Sequence, residues 1–338
     1  MAESISDLIG SPRMIRLRSC LAIVFLFASF AQAFAAEIER LGIDTPDGPR
    51  SYLLVRPSPA PSGLRPLVIL LHGNGSSAAN VLGRRALASP LAAWLTIADR
   101  EGLYLAALDG VKGDEGRQGW NDCRDDLTSN LKVDDVTFVS KVIQATKGVD
   151  LRRVYAMGMS NGGMMVLRLA LELEPPPAAV SAVAGSMASD TRCRNVTRPV
   201  SVQFIAGTAD PLVPYQGGRV GFSGLPRGTV LSVEQSVEYW RHANGLGATP
   251  SLSEEFPVMS GLSNGTKASR VVYGQSPEAA QVELIQVRGG GHIEPSLTRH
   301  YGDYYERLVG PQNHDLESAE EAWRFFRDKR APALRRDD

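Results

Sequence analysis

Gly158-Met159-Ser160-Asn161-Gly162-Gly163 sets a serine between glycines two residues before and two after it. A serine carried on a sharp strand-to-helix turn needs small residues at those positions, because its strained backbone leaves no room for side chains. Such a hydroxyl is a candidate nucleophile for acyl transfer once a base and an orienting carboxylate are supplied. The chain order expected with this turn is Ser, then Asp or Glu, then His. Downstream, one apolar run ends in Gly207-Thr208-Ala209-Asp210-Pro211 and another ends in Gly289-Gly290-Gly291-His292. Asp210 is therefore the expected carboxylate and His292 the expected base, the three glycines suiting a backbone that approaches another loop closely. The remaining histidines fit less well: His72 precedes the serine, His242 lies in a helical stretch, and His300 and His314 follow no strand. Gly261-Leu262-Ser263-Asn264-Gly265 repeats the serine pattern, but no apolar strand precedes it and the polar Thr266-Lys267 follows, so Ser263 reads as a loop residue.

Acyl transfer also needs donors for the oxyanion of its transition state. The backbone N–H of Asn161, next to the nucleophile, is one. The loop His72-Gly73-Asn74-Gly75 offers the second, with Asn74 the first choice and Gly73 the near neighbour. His72 itself reads as a structural residue holding that loop.

These residues are positioned by alternating elements. Glu37–Asp44 and Ser51–Val55 flank the turn signal Thr45-Pro46-Asp47-Gly48, which predicts a hairpin. Pro66–Leu71 is a short continuous apolar run, as expected of a strand covered on both faces. Ser89-Pro90 opens a helix with Leu91, Trp94, Leu95 and Ala98 on its apolar stripe and Gly102 as its stop. Strand Leu103–Leu108, a helix capped by Asp134, strand Val154–Met157, helix Gly162–Leu171 and strands Ala179–Ala184 and Val200–Ala206 follow. Helix Val233–Asn244, strand Val282–Val287 and helix Leu316–Arg330 complete the series. Repeated strand–helix units predict an α/β fold: one domain built on a mostly parallel sheet with helices on both faces. In such sheets ligands collect at the carboxyl ends of the strands, where Ser160, Asp210 and His292 fall.

The chain has 338 residues, with 36 Lys and Arg against 37 Asp and Glu and a formal net charge of −1. That balance gives no electrostatic footprint for nucleic acid or an anionic membrane surface. Met14-Ile15-Arg16-Leu17-Arg18, the apolar run Cys20 to Ala35, and the small-residue sites Ala31-Gln32-Ala33 and Ala33-Phe34-Ala35 have the layout of a secretory signal. Residues 1–35 are accordingly expected to be removed, leaving 36–338 as the catalytic domain, secreted or periplasmic and free of the membrane. Export would leave Cys123 and Cys193 as a single pair in an oxidising compartment, either bridged or as two free thiols. With no histidine spaced nearby they form no zinc site, and no metal is expected.

Taken together, PLVILLHGNG, WND, VDDV, GMSNGG, GTADPLVPY and GGGH-x-E-P with a terminal helix resemble the secreted esterases of the polyhydroxybutyrate depolymerase and feruloyl/acetylxylan esterase group, from about Glu37 to Arg330. The resemblance implies an α/β-hydrolase fold with an N-terminal antiparallel hairpin, and carboxylic-ester hydrolysis without a cofactor. It carries the triad onto Ser160, Asp210 and His292. It implies an ester substrate, an oligomeric polyester or an acylated saccharide; the expected state is a monomer. Two departures stand out: Ile293-Glu294-Pro295 where relatives often have Trp-Pro, and an added Ser296–Gln312 segment with Tyr301, Tyr304 and Tyr305.

Around the site, Trp120 is placed either to stack on a sugar or aromatic acyl group or to pack. The tyrosine-rich segment reads as a lid or as a surface helix. Asp134 and Asp135 read as a helix cap and a local hydrogen-bonding partner. A serine peptidase or acyltransferase would use the same triad; a non-catalytic binding protein would be expected to have lost one of its members.

Overall fold

The computed structural model describes residues 37–58, 62–85, 89–126, 132–196, 198–221, 227–259 and 264–332. The secretory-signal segment and Ser263 lie outside the described residues.

The N-terminal hairpin is β1 (Glu37–Thr45) and β2 (Gly48–Arg56), joined by the two-residue turn Pro46-Asp47 with Thr45 opposite Gly48. The remaining strands of the main sheet are β3 (Arg65–Leu71), β4 (Tyr104–Leu108), β5 (Val149–Met159), β6 (Ala179–Val183), β7 (Ser201–Gly207), β8 (Leu252–Glu255), β9 (Lys267–Tyr273) and β10 (Val282–Arg288). Their spatial order is β1-β2-β4-β3-β5-β6-β7-β10-β9-β8. From β4 to β10 every neighbouring pair is parallel, while both margins are antiparallel.

Alternation along β3 shows why its apolar run is unbroken. Leu67, Ile69 and Leu71 face one core with α2 (Asp135–Ala145), α3 (Asn161–Glu172) and α4 (Val233–Ala243). Val68 and Leu70 face the opposite core, where Trp94 and Ile97 of α1 (Trp94–Glu101) meet Trp323 and Phe326 of the terminal helix Ser318–Phe326. A strand covered on both faces has no solvent side to keep polar. A parallel core with helices on both faces and an antiparallel hairpin at its start is the α/β-hydrolase architecture.

The antiparallel margin β8–β9 is absent from the sequence reading. Leu252–Glu255 is exposed throughout, and Lys267–Tyr273 buries alternate residues only, including Arg270. Arg270 is tied to Glu254 and Glu321 and lies over Phe256, so a charged residue fills a core-facing position and breaks the apolar pattern. Strand β5 also begins earlier than Val154, because its polar Asp150–Arg153 stretch continues from the pairing of Val149 with Arg65.

Arg50 on β2 and Asp135 at the start of α2 form an ion pair of 2.8 Å with both side chains withdrawn from solvent. The second Asp135 oxygen accepts from Asn121 N–H at 2.7 Å, while Arg50 lies over the Phe138 ring. Asp135→Ala would strand the guanidinium, a loss of roughly 3–5 kcal/mol for a broken buried pair. Urea unfolding of the variant is expected to show a correspondingly lowered midpoint with an unchanged slope.

Candidate active site

The turn between β5 and α3 is as tight as the glycine spacing requires. Ser160 sits at φ 56°, ψ −120°, and its N–H donates to Val183 O at 2.8 Å. A Cβ on Gly158 would overlap the carbonyl of Gly162, and one on Gly162 would overlap the carbonyls of Leu71 and His72. The two glycines thus let α3 start directly against β5 and β3, with Ser160 at the N-terminus of the helix.

Asp210 and His292 follow adjacent parallel strands, β7 and β10, whose register places Gly207 opposite Val287. His292 Nδ1 lies 2.7 Å from Asp210 Oδ2. A carboxylate only accepts, so Nδ1–H donates and Nε2 is left as the basic nitrogen. The other Asp210 oxygen accepts from the N–H groups of Leu212 and Val213 at 2.7 and 2.8 Å, which fixes the carboxylate before it meets the ring. A Cβ on Gly291 would collide with Val309 and Gly310, and His292 N–H donates to Val309 O at 2.6 Å. The glycine run therefore seats the histidine loop against the end of α5 (Asp303–Val309), within the added segment.

Ser160 and His292 line one cavity of about 460 Å³, together with Asn74, Asn161 and Trp120. The Ser160 hydroxyl makes no hydrogen bond to a described residue, as is common for a catalytic contact that tightens only when substrate binds. The N–H groups of Asn74 and Asn161 likewise donate to no described residue. Asn161 opens α3, where first-turn N–H groups have no partner within the helix. Gly73 packs on the nucleophile, an added Cβ there falling 3.5 Å from Ser160 Cβ. Asn74 is steadied through its side chain, which accepts from Arg227 at 2.6 Å.

Trp120 has no accessible surface. Its indole N–H donates to His72 O at 2.8 Å, and its ring centroid lies 5.0 Å from that of His72. It borders the cavity but leaves no open face for stacking on a substrate ring; of the two roles expected for it, the geometry supplies packing. His72 holds the loop with both nitrogens, Nδ1 donating to Gly73 O at 2.8 Å and Nε2 accepting from Gly110 N–H at 2.9 Å. Burial, above all, lowers its pKa and keeps it neutral. Asp134 caps α2 by accepting from Thr137 N–H at 2.9 Å.

The side chain of Asn161 does work that the sequence does not announce. Its Oδ1 accepts from Trp120 N–H at 2.7 Å, and its Nδ2 donates to Trp120 O at 3.1 Å and Asp122 Oδ2 at 2.8 Å. Asp122 is in turn gripped by Arg124 through both carboxylate oxygens. Arg192 donates to Asp122 O at 2.8 Å, and its N–H reaches Cys123 O at 3.1 Å. Beside this lattice Cys123 and Cys193 are bridged, with Cα atoms 5.2 Å apart. Only the WND triplet hinted at this network, because its members meet across three loops.

Residues 92–192 match the Prolyl oligopeptidase family. Over 274 residues the chain is 32% identical to the protein named "Putative esterase NocK" from Nocardia uniformis subsp. tsuyamanensis, covering 78% of this chain and 74% of that protein. The chain belongs to this esterase family. The esterase is also 28% identical over 206 residues to feruloyl esterase B of Piromyces equi, covering 57% of this chain but 34% of that protein. Among solved structures, an acetyl xylan esterase from Aspergillus awamori overlays with a TM-score of 0.48 at 13% identity, covering 80% of this chain and 98% of the other.

The disulfide of this esterase closes a separation of 70 residues, for which loop-closure entropy predicts a stabilisation of about 4 kcal/mol. Non-reducing peptide mass spectrometry of protein produced under oxidising conditions is expected to recover Cys123 joined to Cys193. Cys123→Ser with Cys193→Ser is expected to lower the thermal midpoint by several degrees at least; two alkylatable thiols in the native protein would contradict the bridge.

Proposed function

We propose that this protein hydrolyses carboxylic esters through a covalent acyl-enzyme on Ser160, as an exported enzyme acting on oligomeric polyester or acylated saccharide. The observation that carries the reading is the Asp210–His292 pair, oriented on adjacent strand ends, with His292 lining the same cavity as Ser160. His292 takes the Ser160 proton as the oxygen attacks the ester carbonyl, and Asp210 holds the tautomer and stabilises the imidazolium. The N–H groups of Asn74 and Asn161 receive the oxyanion, neither having another partner among the described residues. His292 then passes the proton to the departing alcohol, and water, deprotonated by the same ring, releases the acid. Tyr301 and Tyr305 of the added segment line the cavity while Tyr304 is exposed, which supports a fixed wall in place of a detached lid.

In the same reading residues 1–35 are a cleaved signal, 36–338 form the catalytic domain, and the mature enzyme is a monomer. A peptidase reading draws on the family match over residues 92–192, a span that includes Ser160 but neither Asp210 nor His292.

Ser160→Ala is expected to lower kcat on short p-nitrophenyl esters by about 10⁴-fold or more while leaving the circular dichroism spectrum unchanged. Turnover retained in that variant would remove Ser160 from the mechanism. Assays on acetyl, feruloyl and 3-hydroxybutyryl esters assign the acyl group, and a matched p-nitroanilide tests the peptidase reading, which predicts anilide cleavage.

A further inference from the structure

One carboxyl in the cavity wall has no part in the triad. Glu294 lies two residues past His292, lines the cavity and is 4% exposed. Its Oε1 accepts from Ser89 Oγ at 2.8 Å. No arginine or lysine pairs with it among the described residues, and burial above all raises its pKa, so holding the ionised form calls for a cation from outside. Three arginines line the same cavity, and none pairs with this acid among the described residues: Arg124 is paired with Asp122 at 2.6 Å, Arg227 with Glu115 at 2.6 Å, and Arg117 lies against Gly75.

Two aromatic rings complete the patch. Tyr301 and Tyr305, with centroids 4.5 Å apart, both line the cavity and both feel the Glu294 charge. Burial first and that charge second raise both phenols, Tyr305 to about 12, so they stay neutral and offer ring faces and hydroxyls. A buried carboxyl without a cation is a costly thing to hold in a wall, and it is relieved by a ligand that brings the cation with it. Aromatic faces beside a carboxylate add attraction for the same charge.

We propose that Glu294, Tyr301 and Tyr305 form a subsite for a protonated amine carried on the alcohol portion of the ester. The side of the ester follows from the chain: His292 must reach the leaving oxygen, and the wall that continues from His292 borders whatever that oxygen carries. The proposal rests on the esterase reading and narrows it to amino-alcohol esters.

The test compares three acetates: that of 2-(dimethylamino)ethanol, that of 3-methylbutanol, which has the same branched shape without charge, and 3-hydroxybutyl acetate. Each kcat/KM, measured near neutral pH, is divided by the ester's own hydroxide-catalysed rate. The wild-type enzyme is expected to favour the amino ester over its isostere by roughly tenfold or more, the value of one hydrogen bond to a charged group. Glu294→Gln is expected to bring that ratio near one. A wild-type ratio near one overturns the proposal, as does an unchanged ratio in the variant, and preference for the hydroxy ester would make this a subsite for neutral donors. Should Glu294→Gln fail to fold, the wild-type ratio decides the matter: tenfold or more upholds the proposal and a value near one overturns it. Turnover of 3-methylbutyl acetate that disappears in Ser160→Ala upholds the esterase reading whatever the ratio; no turnover of any of the three overturns both.

Discussion

The structure depends on a backbone that goes where side chains cannot. Ser160 occupies a positive-φ conformation that costs of order 1–3 kcal/mol, and it persists because the surroundings allow nothing else. The first turn of α3 lies directly against the ends of β5 and β3, in the space that Cβ atoms on Gly158 and Gly162 would fill. Once that contact is made, Ser160 sits at the start of the helix, and the N–H of Asn161 has no partner among the described residues. The proposed nucleophile and one proposed oxyanion donor are thus consequences of one close approach.

From that contact the rest of the site is secured by polar groups withdrawn from water. Asn161 clamps the main chain of Trp120 on both sides, Trp120 holds the carbonyl of His72, and His72 fixes the loop that carries Asn74. The two oxyanion candidates, on separate loops, are therefore joined through a single tryptophan. Asp122, Arg124 and Arg192 tie this assembly to the Cys193 loop, and the disulfide closes it covalently. The side chains of Asn161, Trp120, Asp122, Arg124 and Arg192 all find partners within this network, which stiffens the site.

The cavity has an uneven charge distribution. At the Asn74 end the guanidinium of Arg227 is already engaged by Asn74 and Glu115, while at the His292 end Glu294 is buried among Ser89, Tyr301 and Tyr305. The segment that supplies the tyrosines is anchored, not loosely hinged: Gln312 donates to Glu294 O, and Glu317 accepts from Ser296 and Thr298. A wall held in this way can discriminate among esters by what they leave unpaired when they bind.

Local sequence determined the elements and the order of the chemistry. Apolar runs marked the parallel strands, because burial on both faces leaves no polar alternation, and the glycines marked the serine turn, because the clash at Gly158 falls on Gly162 within the same five residues. The strand ends then located Asp210 and His292 to within a loop. Tertiary structure alone decided what lies between distant loops: the Asn161–Asp122–Arg124 lattice, the closure of the Trp120 face, the bridging of Cys123 to Cys193, and the seating of Glu294 beside the base. Most of those contacts join residues between 39 and 205 positions apart, and a hydrogen bond leaves no periodic trace in sequence by which to predict its partner. The exposed β8 and the charged β9 escaped notice for a related reason, since Arg270 satisfies in space a position that reads locally as polar.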